Sequence, residues 1–181
     1  MSDRVFNKDA YDAYDAPSKE ILKKIIEKNT NFKLDGNIDK EHYKSHDISF
    51  SNGKRKILFE NETRINFETI ANHYDTIHIP YRKLETKCDY YIVWKSDFKK
   101  FIVIKKNVFK KHLDKIVKVT CEEGFSEGEK IYTEKFIDIP KEETNGFIVN
   151  EDFTIEKLEY NKEVKIDIRK RLKELRNETK L

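Results

Sequence analysis

Cysteine is almost missing from this chain of 181 residues, with Cys88 and Cys121 the only two. Two thiols cannot build a disulfide framework or a cysteine-rich zinc site, so they read as reduced and partly buried. Glycine is nearly as scarce, and the five positions (36, 53, 124, 128 and 146) match neither the phosphate-loop spacing nor the dinucleotide fingerprint. The chain has no His-Glu-x-x-His zinc pair and no Gly-x-Ser-x-Gly nucleophile elbow. His42 and His46 are four residues apart but fall on or beside a strand, a poor metal pair. Serine and cysteine hydrolases, kinases, dehydrogenases and zinc fingers are therefore all unsupported. Long apolar runs are absent too. Stretches such as Tyr90-Tyr-Ile-Val-Trp94 reach about five residues, against the ~20 that a membrane-spanning helix needs. The first residues lack the apolar segment of a secretory signal. The expectation is a soluble, cytoplasmic protein with no membrane partner.

Charge is what the chain has in excess. Charged residues make up 39% of the sequence, well above the ~25% of an average globular chain. The two signs nearly cancel, 37 basic against 34 acidic for a net +3, so nucleic-acid binding would have to rest on local basic patches. Apolar residues are lean at 37%, yet Ile, Leu, Val, Phe and Tyr cluster periodically, which excludes disorder of the whole chain. The bias toward Lys, Ile, Asn, Tyr and Phe over Gly, Ala and Pro is that of an AT-rich coding sequence, such as a low-GC bacterium or a phage.

An Asp-Ala-Tyr repeat from Asp9 runs up to Pro17, so residues 1–16 read as a polar tail. From Pro17 the pattern turns helical, with Ile21, Leu22, Ile25 and Ile26 forming one stripe that ends near Asn29. Residues 46–60 read as a β-hairpin turning on Asn52-Gly53, a type I′ pair. A short helix over 63–73 and strands at Thr76–Pro80, 89–95 and 101–105 follow. Tyr90 to Trp94 is apolar on both faces, as in a strand covered on both sides. Val108, His112, Leu113, Ile116 and Val117 sketch a further helix. Ile131 to Ile139 reads as strand, Asn145-Gly146 as a turn, and Val164, Ile168, Leu172 and Leu175 as the apolar stripe of a basic C-terminal helix.

The hairpin brings acids together. A turn on Asn52-Gly53 sets Asp47 opposite Leu58 and Ser45 opposite Glu60. Strand alternation then gives Asp47 the same face as Glu60, its diagonal neighbour, and Glu62. Three carboxylates on one face repel unless a cation lies among them, and hard oxygen donors suit Mg²⁺ or Mn²⁺.

A helix, Asp47 on a strand, a turn, Glu60-Asn61-Glu62 on the next strand, then a helix and further strands resemble the PD-(D/E)XK nuclease superfamily. The resemblance implies an α/β (α+β) restriction-endonuclease-like fold, with a mixed central sheet flanked by helices and an α-β-β-β-α-β core within residues 17–120. Residues 121–181 would form an extension on the same domain. It further implies an Mg²⁺-dependent deoxyribonuclease, an endonuclease rather than an exonuclease, with Asp47, Glu60 and Glu62 as catalytic and metal-binding residues. Glu62 stands where the superfamily usually has Lys, a departure that some members share, and Arg64 could stabilise charge in its place. Glu20 or Glu27 could supply the acid that many members carry on the first helix.

Two basic clusters would meet DNA: Lys54, Arg55 and Lys56 in the hairpin turn, and Arg82 and Lys83 after the next strand. A homodimer is left open. The alternative expectation keeps the fold without the chemistry, as a nucleic-acid-binding or phage-type interaction protein.

Overall fold

A computed structural model describes residues 11–36, 46–64, 76–123 and 130–159; of Tyr11 and of residues 117–123 and 130–134 it describes the backbone only. The expected helix at 63–73, His42, the loops at Gly124 and Gly128 and the basic C-terminal helix lie outside the described residues or reach beyond them. The architecture is mixed α+β, with few helices and two sheets.

A π-helical turn, Tyr11–Asp15, runs directly into helix α1, Ala16–Asn29, so the end of the expected polar tail is helical. Pro17 lies in the first turn of α1, where its missing N–H has no helical partner to lose. Strands follow as β1 (Lys33–Leu34), β2 (Ile48–Ser51), β3 (Lys56–Arg64), β4 (Thr76–Pro80), β5 (Tyr90–Lys95) and β6 (Lys100–Lys105). Beyond α2 (Lys106–Lys111) come β7 (Ile116–Glu123), β8 (Lys130–Pro140), β9 (Asn145–Val149) and β10 (Ile155–Leu158). The larger sheet has the order β1-β2-β3-β5-β6-β9-β10 and the smaller one β4-β8-β7. Every pairing is antiparallel except β3 with β5, which is parallel.

The doubly apolar pattern of β5 has a direct counterpart in the packing. Tyr91 and Val93 join Ile102 and Ile104 of β6 in a core shared with Ile77, Ile79, Ile137 and Ile139 of the smaller sheet and with Val108 and Phe109 of α2. Ile92 and Trp94 point the other way and join Phe101, Ile48, Phe50 and Phe59 beneath Leu22 and Ile25 of α1. The larger sheet is thus covered by α1 on one face and by the smaller sheet and α2 on the other.

Three local expectations need correction. The hairpin turns one residue later, on Gly53-Lys54, so Ser51 pairs with Lys56 and Ile48 with Phe59. A type I′ turn needs positive φ at both central residues, and here only Gly53 has it, at +81°. The Asn52 side chain stabilises the shifted turn by accepting from the Lys54 and Arg55 amides at 3.1 and 2.9 Å. The helix sketched from Val108 to Val117 stops at Lys111: Ile116 already pairs with Ile137, and Leu113 stays exposed. Asn145-Gly146 is no turn but the start of β9, with Asn145 opposite Val103. The chain bends just before it, in a 3-10 turn at Lys141–Glu143.

Candidate functional site

The corrected hairpin register changes the geometry of the acids. The pairing of β2 with β3 ends at Ile48 and Phe59, and just beyond it the Asp47 amide donates to the Phe59 carbonyl at 2.9 Å, one step out of register with the ladder. Asp47 thus lies outside the ladder, and its charge is felt at Glu60. Within the ladder the shift moves each partner by two residues, an even step, so the paired residues keep their expected faces. The Asp47 carboxylate takes over as partner of the next free β3 amide, accepting from Asn61 N at 2.7 Å through Oδ2.

A cation stands against each of these acids. Lys19, from the first turns of α1, has Nζ 3.5 Å from Asp47 Oδ1 and is almost fully buried. Lys83, from the 3-10 turn Tyr81–Leu84, is ion-paired with Glu60 Oε1. Arg64, two residues along β3, donates from Nε to Glu62 Oε1 at 2.6 Å and from Nη2 to the His78 carbonyl at 2.8 Å. Lys83 is itself held in place, because its carbonyl accepts from Thr86 Oγ1 at 2.8 Å and from Lys106 Nζ.

Burial and like charge oppose ionisation here. Glu60, 5% exposed, has its carboxyl raised above the usual range, first by burial and then by the negative charge of Asp47, against the pull of Lys83. Asp15, at the junction of the π-helical turn and α1, is pushed up from 3.8 to about 6 by burial and by Asp47, while Lys19 and Lys83 partly offset the rise. Burial would raise Glu62 as well, but the Arg64 guanidinium, helped by Lys83 and Arg82, holds it below the ordinary value. Burial lowers the nearby Lys106 ammonium. It raises the Cys88 thiol, which disfavours the thiolate there.

The expected residues separate into two groups. Asp47, Glu60, Glu62, Arg64 and Lys83 come together along the C-terminal half of β3, and the positive charge of exposed Arg82 is felt at Glu62. Glu20 is exposed, and Glu27 is used in the fold, accepting from the Leu34 amide at 3.1 Å. The acid near α1 whose charge belongs to the cluster is Asp15, the last residue of the π-helical turn. Its sequence signal was an acid two residues before the helix-starting Pro17. Lys54, Arg55 and Lys56 are exposed in the turn at the other end of the hairpin, four residues or about 13 Å along the strand from the acids. Lys56 is paired with Asp35 at 2.7 Å. Lys19, Asn61 and Lys106 carried no motif that could single them out.

Crowded hard-oxygen donors suit a dication of the Mg²⁺ type, which is commonly held by one or two carboxylates, waters and substrate phosphate. The neighbouring carboxylates of Asp47 and Glu60 fit that donor set. Among the described residues, no three His, Cys, Asp or Glu side chains gather into an all-protein cage, and no helix is long and apolar enough to cross a membrane. Comparison of the chain with known protein families, with curated proteins and with solved structures finds no match.

Proposed function

We propose that the chain is a metal-dependent nuclease that hydrolyses DNA phosphodiester bonds, acting as an endonuclease in the cytoplasm of a bacterial or phage-infected cell. The observation that carries this reading is the Asp47 carboxylate, seated on the Asn61 amide and close to buried Glu60, a mutual repulsion that a dication would relieve. The order of elements supports it: α1, the antiparallel run β1-β2-β3 and a later strand parallel to β3 follow the sequence of a restriction-endonuclease-like core.

Asp47 and Glu60 would hold Mg²⁺ or Mn²⁺, which when bound lowers the pKa of a coordinated water and offsets charge on the phosphate. Glu62, kept ionised by Arg64, suits a fixed negative charge better than a proton acceptor. Arg64 is committed to Glu62 and the His78 carbonyl. Lys83 instead supplies the cation that the usual lysine two residues after Glu60 would have provided, because its ammonium already lies against Glu60. Arg82, beside it, is placed to meet a phosphate. Asp47→Ala is expected to abolish Mg²⁺-dependent cleavage of plasmid and linear DNA while the circular dichroism spectrum stays native. Full cleavage by that variant would overturn the reading.

One observation favours a second reading. Each acid of the row already has a basic partner, as in a nuclease-like core retained for binding alone. A thermal shift with Mg²⁺ or Mn²⁺ that disappears in Glu60→Ala supports the nuclease. No shift, together with retained DNA binding, supports the binding module.

A further inference from the structure

We infer that Asn61 and Trp94 are positioning residues that set the Asp47 carboxylate against Glu60, an inference whose role for the cation rests on the metal-site reading above. Asn61 lies between Glu60 and Glu62, and strand alternation sends its side chain to the opposite, α1-facing side of the sheet. There it is 5% exposed and bonded at both ends. Its Oδ1 accepts from Trp94 Nε1 at 2.6 Å, and its Nδ2 donates to Ser18 Oγ at 2.5 Å. Ser18, fully buried, donates in turn to the Asp15 carbonyl at 2.9 Å. The Asn61 main-chain amide is the group that holds Asp47 Oδ2.

One residue thus ties three elements together: β5 through the indole, the start of α1 through Ser18, and the end of β2 through the Asp47 carboxylate. An apolar side chain at 61 would leave the buried Trp94 indole N–H without its acceptor. The polar one orders the strand end whose amide orients Asp47, and through Ser18 it anchors the turn that carries Asp15. Buried networks satisfied at every member hold their groups in a single arrangement. Asp47 and Glu60 repel each other, and the Asn61 amide on one oxygen, with Lys19 on the other, keeps the Asp47 side chain from rotating away.

Trp94 is the only tryptophan in the chain, so its indole N–H gives a single resonance in a ¹⁵N-labelled sample of the full chain. In metal-free protein, Asp47→Asn is expected to shift that resonance. Glu62→Gln, next to Asn61 in the chain but outside the hydrogen-bond chain, is expected to leave it in place. No shift in Asp47→Asn, or equal shifts in both variants, overturns the positioning role whether or not metal binds. Trp94→Phe keeps an aromatic ring and removes the donor. With its fold checked by circular dichroism, it is expected to bind Mn²⁺ about tenfold more weakly by electron paramagnetic resonance, the lower end of the usual loss for outer-shell partners. Equal Mn²⁺ affinity in wild type and Trp94→Phe overturns the inference. If Trp94→Phe fails to fold, Ser18→Ala, which removes the Asn61 acceptor, carries the same expectation. A wild-type protein that binds no Mn²⁺ at all overturns the metal-site reading instead, and the indole shifts then decide the positioning role alone.

Discussion

Asp15 is the residue whose ionisation most directly opposes the fold. Its folded pKa of about 6 lies above the ordinary 3.8, so the native state holds a proton that the unfolded chain releases. The cost of ionising it is absent below pH 3.8, grows between pH 3.8 and about 6, and is complete above about 6. Asp15→Asn should therefore raise the melting temperature at pH 7.5 and leave it unchanged near pH 3.5, measured by thermal melts across that range. Lys83 presents the converse case. It and Glu60 are both largely buried, with side chains 16% and 6% exposed. Removing one partner of such a pair typically costs about 3–5 kcal/mol, because the other charge is left uncompensated. Lys83→Met is expected to lose stability in urea unfolding at pH 7.5. The loss should shrink at pH 5, where Glu60 can shed its charge by taking up a proton.

At the scale of elements, α1 connects the core to the site. Leu22 and Ile25 bury its apolar stripe against the larger sheet, while Ser18 and Lys19, one turn earlier, reach Asn61 and Asp47. Packing of the stripe sets the position of the acids' partners, so a core mutation should be felt at the site. Leu22→Ala should destabilise the protein by about 2–5 kcal/mol through lost burial and the cavity left behind. It should also weaken any Mn²⁺ binding, which unfolding curves and Mn²⁺ titration on the same samples would show together. The helix was legible in the chain from its 3.6-residue stripe and from Pro17. The hairpin was legible in its strands and in the parity of its faces. Its turn was misplaced by one residue because Asn-Gly is the stronger local signal. The contest was settled by the Asn52 side chain bonding to two amides, a preference that depends on local geometry more than on composition.

For the molecule as a whole, the question is how a polyanion would approach. The net charge of +3 gives little long-range attraction, so binding must come from local contacts. Arg82 and Lys83 lie at the acids, whereas Lys54 and Arg55 project from the far end of the hairpin, and Lys56 is paired with Asp35. A duplex lying along the hairpin could meet both groups. Each phosphate contact contributes about 0.9 to the dependence of log K on log salt. The double substitution Lys54→Ala, Arg55→Ala should therefore flatten the slope by about 1.8 and weaken binding uniformly across sequences. An unchanged slope in a fluorescence-anisotropy salt series would return both residues to the solvated surface.

The strand β5, helix α1, the hairpin strands and the common face of Glu60 and Glu62 were all written in local periodicity. Alternation at 2 and at 3.6 residues follows from backbone geometry alone. What surrounds the acids was not written there. Lys19, Lys83 and Asp15 reach Asp47 and Glu60 across separations of about 28 residues for Lys19–Asp47 and 23 for Lys83–Glu60, and no local rule relates positions so far apart. Asn61 reads in the chain as one more polar strand residue. Its place becomes defined only when β5 brings Trp94 to one side, α1 brings Ser18 to another and the end of β2 turns Asp47 toward its amide. The ionisation of the acids follows the same logic. Burial and neighbouring charge set it, and both arise only once the helix, the hairpin and the 3-10 turn have packed around the same point.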